Sequence, residues 1–199
     1  PLCCGKTHLS TGNIEQAWQS GKRLIDTYAP YALAGIPIVG LEPSCLFALK
    51  DELPSLVKTK EARAVAEQAL TFEELLIQDN AELPLNPLRA KALLHGHCHQ
   101  KAYDAMAPVE AVLKMIDGLE VSTIETSCCG MAGAFGYGKD TYDVSQKMAE
   151  ADLLPKVRSA PEDTIIIADG TSCRSQIKDG TQRSAVHVAR LLDQQLQDH

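Results

Sequence analysis

Two stretches of this sequence repeat one another, and that repeat constrains the fold more than any other feature. Cys3-Cys4-Gly5 is followed by a helix-like segment, then the apolar run Ile36-Pro37-Ile38-Val39, then Glu42-Pro43-Ser44-Cys45. Cys128-Cys129-Gly130 is followed by a helix-like segment, then Thr164-Ile165-Ile166-Ile167, then Gly170-Thr171-Ser172-Cys173. The late cysteine lies 41 residues after Cys4 in one copy and 44 after Cys129 in the other. Ala48-Leu49-Lys50-Asp51 answers Gln176-Ile177-Lys178-Asp179. Each copy then closes with an amphipathic helix, ending near Glu74-Leu75-Leu76 and Arg190-Leu191-Leu192. A unit carried twice implies two related lobes.

The second copy has a piece that the first lacks. Before its Cys-Cys-Gly come a strand-like run Lys91–Leu94, a turn around His95–His99, a helical pattern over Lys101–Ile116 and a strand over Leu119–Ile124. Short apolar strands alternating with longer helices predict an α/β fold of two pseudo-repeated, Rossmann-like lobes, each on a parallel sheet. The first lobe is expected over residues 1–80. A linker marked by Pro84 and Pro87 covers 81–90, and the second lobe covers 91–199. By symmetry the first lobe is expected to be truncated at its N-terminus, with a further strand and cysteine upstream. Pro1, which is not an initiator Met, fits that expectation.

Composition removes several classes of function. A net charge of −7, with Lys and Arg scattered, argues against a nucleic-acid partner, whose binding rests on basic patches. No apolar run approaches the roughly 20 residues of a membrane helix. The seven cysteines are odd in number and include two adjacent pairs, which bond to each other only through a strained ring. Reduced thiols or metal ligands in the cytoplasm suit this pattern better than a secreted disulfide scaffold.

Four of those cysteines belong to the second copy, at the ends of three expected strands. Cys98 follows Lys91–Leu94, Cys128 and Cys129 follow Val121–Thr126, and Cys173 follows Thr164–Ala168. Sites in open α/β sheets form at the carboxyl ends of the strands, so four thiolates can converge there without a short metal-binding hook. Cys3, Cys4 and Cys45 are the corresponding candidates in the first copy. Gly130 and Gly133 allow the backbone to approach a bulky group and open a helix with free N–H donors, as the wall of such a site. Soft thiolates suit zinc or an iron–sulfur cluster. Structural zinc usually takes Cys-x-x-Cys pairs, which are absent, whereas adjacent cysteines point apart and suit separate irons. Buried free thiols are the plain alternative.

Other residues carry weaker signals. His95, His97 and His99 would share one face if extended and could then bind a metal; the competing reading is hydrogen bonding within a turn, with His97 and His99 tuning a nearby cluster. Gly133-x-x-Gly136-x-Gly138-Lys139 does not match a phosphate loop. His8 and His187 read as ordinary surface or core residues. Trp18, Tyr28 and Tyr31 read as helix packing, and Lys58–Arg63 as a solvated helix start.

The tandem Cys-Cys-Gly pattern with its late cysteine resembles the cysteine-rich CCG domain found in heterodisulfide reductase, glycolate oxidase, anaerobic glycerol-3-phosphate dehydrogenase and lactate-utilisation proteins. His95-Gly96-His97-Cys98-His99-Gln100-Lys101, Cys128-Cys129-Gly130-Met131-Ala132-Gly133 and Ala168-Asp169-Gly170-Thr171-Ser172-Cys173-Arg174 most resemble the C-terminal segment of fused FAD-linked 2-hydroxyacid dehydrogenases. The resemblance implies an oxidoreductase part that relays electrons through a [4Fe–4S] cluster. FAD would lie elsewhere in the holoenzyme, on a dehydrogenase domain or subunit, with a ferredoxin-like domain beside it and a quinone or other acceptor. The location implied is cytoplasmic, or peripheral at the inner membrane. The family pattern ends in Cys-x-x-Cys, whereas here Glu42 and Gly170 replace the first of those cysteines. The departure favours a plain cubane over a non-cubane, disulfide-cleaving cluster. A zinc-bound or metal-free interaction module is the alternative from another class.

Overall fold

The computed structural model describes residues 2–126 and 128–197. The chain divides into two compact units, Pro1–Leu75 and Leu76–His199. Each is α/β, and every paired strand in either sheet is parallel. Among the described residues no helix is long and apolar enough to cross a membrane.

The first unit runs α1 (Lys6–Ser10), α2 (Ile14–Leu33), β1 (Ile38–Gly40), α3 (Pro43–Lys50), α4 (Glu52–Val57), α5 (Lys60–Gln68) and β2 (Ala69–Thr71), and ends within α6 (Phe72–Gln78). Pro43 begins α3 where a missing N–H costs nothing, and Thr59 Oγ1 caps α5 by accepting from the Ala62 N–H at 3.2 Å. Leu24 and Ile25 of α2, Leu46 and Leu49 of α3, Leu53 of α4 and Val65 of α5 close one core. The expected packing role holds for Tyr28, which lies against this core. It fails for Trp18 and Tyr31, whose side chains are 39% and 54% exposed. They fall on the outer side of α2, because its apolar stripe is filled by smaller residues such as Ala17, Ala29 and Ala32.

The second unit runs β3 (Ala90–His95), α7 (Cys98–Ala102), α8 (Met106–Leu113), β4 (Leu119–Thr123), a 3-10 turn (Phe135–Tyr137), α9 (Tyr142–Ala151), α10 (Leu153–Ser159), β5 (Ile165–Ala168), α11 (Thr171–Thr181), β6 (Ala185–Val186) and α12 (Val188–Gln195). Its sheet has the order β4-β3-β5-β6. The single helix expected over Lys101–Ile116 is two helices. The chain turns between them, where Asp104 adopts a left-handed backbone conformation (φ 54°). The expected helix straight after Gly130 and Gly133 is also absent. The 3-10 turn stands there, and the first α-helix begins at Tyr142.

The duplication extends to the register of the strands. Ile38 faces Ala69 across β1 and β2, and Ile166 faces Ala185 across β5 and β6. In the second sheet the chain leaves β3 for β4 on one side and returns to β5 on the other. The reversal of strand order therefore falls beside β3, where open parallel sheets leave a crevice at their carboxyl ends.

Candidate metal centre

Each thiol of the second unit reaches that crevice from the end of a strand. Cys98 begins α7 after β3, and Cys173 lies in the first turn of α11 after β5. Cys128 and Cys129 lie on the loop after β4. The Sγ atoms of Cys98 and Cys128 are 3.4 Å apart, and those of Cys129 and Cys173 are 3.3 Å apart. Cys128 and Cys129 also interact through their thiols, so the four sulfurs form one chain. Cys129 and Cys173 are buried, and Cys98 and Cys128 are half-buried.

The protonation of the set follows from this crowding. Cys128 is held well below the usual thiol range by the S–H groups of Cys129 and Cys98. Cys173 is lowered by Cys129, against the opposing effect of its burial, with a smaller contribution from His95. Cys98 and Cys129 are pushed up, first by the thiols that accept from them and then by burial. Lys101 stands beside all four and donates from Nζ to the Thr126 carbonyl at 2.5 Å. Burial holds its ammonium below the usual range, against the pull of Cys98, Cys173, Cys128 and Cys129.

A backbone device recurs at the Cys-Cys-Gly turns. The Gly130 N–H donates to Cys128 Sγ at 3.3 Å, and the Gly5 N–H donates to Cys3 Sγ at 3.5 Å. Both glycines have positive φ, 88° and 77°. A Cβ on Gly130 would lie 2.2 Å from the Ser145 carbonyl oxygen, and one on Gly5 would lie 2.8 Å from that of Ala17. The glycine lets the turn close onto a nearby helix in both copies, α9 for Gly130 and α2 for Gly5. Gly133 differs: its φ is 70°, but a Cβ there would meet nothing within 4 Å. Its carbonyl accepts from Ser172 Oγ at 3.2 Å, which joins the glycine loop to α11.

In the first unit the structure also brings Cys3, Cys4 and Cys45 together. Cys4 is buried, and its thiol is pushed down to about 6, first by the Cys45 S–H. Cys45 is pushed up by the same contact. Lys6 lies alongside and pairs with Glu52.

A network that the sequence analysis did not isolate holds the second set. Gln176 Nε2 donates to the Cys129 carbonyl at 3.1 Å and to Ser145 Oγ at 3.2 Å. Buried Gln100 accepts from the His97 N–H at 3.0 Å and donates to Asp169 at 2.8 Å, and Asp169 accepts from the Val188 N–H at 3.0 Å. Gln176 carried no signal of its own in the repeat, where Ala48 stands at the matching position. The three histidines do not share a face, because the extended backbone ends at His97. His97 Nδ1 accepts from the His99 N–H at 3.2 Å, and the two rings stack with centroids 5.1 Å apart. His95 instead ends β3, fully buried, with a ring nitrogen mutually within 4.8 Å of Cys129 and Cys173 Sγ.

The donor set suits a thiophilic metal. It is rich in sulfur, draws on three loops, and includes a buried imidazole with no well-formed hydrogen bond at either nitrogen. Cys98, Cys128, Cys129 and Cys173 could hold such a group.

Comparison with known proteins places this geometry in a class. The profile of the cysteine-rich domain (CCG) family matches residues 1–50 and 92–178. The chain belongs to that family. Among similar proteins, the C component of anaerobic glycerol-3-phosphate dehydrogenase from Escherichia coli (strain K12) is 29% identical over 98% of this chain and 49% of its own length. D-2-hydroxyglutarate dehydrogenase of the same strain is 25% identical over 87% of this chain and 17% of its own length. Lactate utilization protein A of Lysinibacillus sphaericus (strain C3-41) is 24% identical over 96% of this chain and 86% of its own length. The chain thus spans about half the length of the first relative and a far smaller share of the second. No solved structure matches it.

Proposed function

We propose that this chain is an iron–sulfur electron-transfer module of a flavin-linked 2-hydroxyacid dehydrogenase of the D-lactate, glycolate or D-2-hydroxyglutarate type. It would pass electrons from an FAD-bearing domain or subunit, with a ferredoxin-like domain beside it, to a quinone or other acceptor. The convergence of four thiols from three loops at one sheet edge carries the reading. The names of the dehydrogenases among its relatives support it. Lobes at 1–80 and 91–199 around a linker at 81–90, and a cytoplasmic or peripheral inner-membrane location, belong to the same proposal.

A [4Fe–4S] cluster held by Cys98, Cys128, Cys129 and Cys173 supplies one-electron chemistry. The protein's own part is to fix and neutralise that group. Gln176 anchors the Cys129 backbone, the Gly130 N–H steadies Cys128 Sγ, and Lys101 offsets thiolate charge. Burial of Cys129 and Cys173 keeps water from half of the set.

One observation favours a second reading. Two thiolates on one tetrahedral zinc, with Zn–S of ~2.3 Å, stand ~3.8 Å apart. The sulfur contacts of 3.3 and 3.4 Å approach that spacing. The experiment is iron, acid-labile sulfide and zinc analysis after anaerobic purification, with an EPR spectrum of the reduced protein. About four iron and four sulfide per chain, lost in Cys128→Ser, supports the relay. Zinc alone, or no metal after reconstitution, leaves a structural module and moves redox chemistry elsewhere. In the holoenzyme, Cys129→Ser is expected to stop acceptor reduction while flavin reduction persists; loss of flavin reduction sinks the relay.

A further inference from the structure

His95 is a strongly buried polar side chain beside the sulfurs for which neither the fold nor the proposed relay has a use. It is 1% exposed, and neither Nδ1 nor Nε2 makes a well-formed hydrogen bond among the described residues, although the ring interacts with the Cys173 thiol. A buried imidazole without a well-formed hydrogen bond is costly, so natural cores rarely keep one unless a bound group completes it. Its surroundings say which group. One ring nitrogen lies with Cys129 and Cys173 Sγ in a cluster whose atoms are all within 4.8 Å of one another. A thiol sulfur accepts hydrogen bonds weakly, whereas a metal-bound thiolate accepts them well. Cys129 and Cys173, holding a metal as thiolates, would offer this ring the acceptor that lies nearest to it.

Direct ligation by His95 is the rival. A ligating histidine almost always donates its second ring N–H to a carboxylate, carbonyl or water that fixes the ring. The second nitrogen of His95 has no such group, and four thiols already supply a full ligand set. We propose that His95 is a positioning residue that donates an imidazole N–H to the metal-bound thiolates of Cys129 and Cys173. The inference rests on the reading that these thiols hold a thiophilic metal. It assigns to His95 the tuning role that the sequence pattern suggested for His97 and His99. A hydrogen bond to a ligand sulfur withdraws charge from it, so removing the bond from a cluster would shift its potential downward.

Cadmium tests this without requiring an iron–sulfur cluster. The chain would carry Cys4→Ser and Cys45→Ser, so that titration by thiolate absorption reads the second unit. His95→Leu is expected to weaken Cd²⁺ binding 10- to 100-fold, the range found for groups that support metal ligands from outside the coordination shell. His95→Gln, which keeps an N–H, should recover part of that loss. On the unsubstituted histidine, NMR of the ¹¹³Cd-loaded chain should show a His95 ring proton protected from exchange and coupled to the metal through sulfur, and this measurement stands if His95→Leu fails to fold. Unchanged affinity in His95→Leu, a ring proton that exchanges freely, or a direct nitrogen–cadmium bond would overturn the proposal. If cadmium behaves as expected while no iron–sulfur cluster assembles, the inference on His95 stands and the electron-relay reading falls.

Discussion

Gly130 and Gly133 look alike in the sequence and have similar backbone angles, but they occupy different surroundings. Gly130→Ala combines a left-handed backbone with a clash against the Ser145 carbonyl, and is expected to cost about 2–5 kcal/mol. Gly133→Ala meets open space and should cost about 1–2 kcal/mol, from its backbone alone. Urea midpoints of the metal-free chain check both, and equal losses would refute the distinction. At Gly170, where the family pattern has a cysteine, a Cβ would lie 2.5 Å from His97 Cδ2 and 3.1 Å from Cys173 Sγ. Gly170→Ala is expected to destabilise the chain by about 1–3 kcal/mol, and His97→Ala should relieve most of that loss in the double variant. The thiols themselves give a pH prediction. The thiols of Cys98 and Cys129 are pushed up by their sulfur neighbours and burial, so metal loading of this site near neutral pH should release protons from them. Metal retention should then strengthen as pH rises and weaken as it falls. Calorimetry in buffers of different ionisation enthalpy measures the release; none released would mean that the set binds as preformed thiolates.

At the scale of elements, the site is held by the ends of strands and the starts of helices. Cys173 lies in the first turn of α11, whose N–H groups and dipole favour a thiolate, while Ile177 one turn later is fully buried in the core that also contains Cys129. Ile177→Ala is expected to cost about 2–5 kcal/mol and to loosen metal binding with it, because the same helix carries both residues. Thermal unfolding with and without metal checks this, and lost stability with unchanged metal affinity would separate the two. Strand positions were legible in the sequence because short apolar runs such as Ile165–Ala168 are covered on both faces. The break between α7 and α8 was not legible, since the apolar periodicity of Lys101–Ile116 runs through it and only the backbone at Asp104 marks it. His95, His97 and His99 illustrate the same limit. Their alternation predicts one face only while the chain stays extended, and the extended backbone ends at His97, before α7.

For the whole molecule, each unit carries its own thiol set on its own parallel sheet. Metal that binds the folded state alone stabilises it by mass action, by about 2.7 kcal/mol at a hundred times Kd. Loaded protein should therefore melt well above the metal-free chain, and a chelator should reverse the shift; coincident melting curves would show that the metal contributes nothing to the fold. The duplication, the α/β class and the cysteines that could converge were determined by the sequence itself. They depend on local periodicity and on the rule that parallel strands present their carboxyl ends on one edge. The tertiary structure alone decided that Cys98 adjoins Cys128 while Cys129 adjoins Cys173. It also decided that Gln176 and Lys101 serve the set, and that His95 lies with the sulfurs of Cys129 and Cys173. Those contacts join residues 30 to 47 positions apart, or depend on how the chain turns after β3. Spacing along a sequence does not encode the angle at which one loop meets another; only the packing of the helices over the sheet sets it.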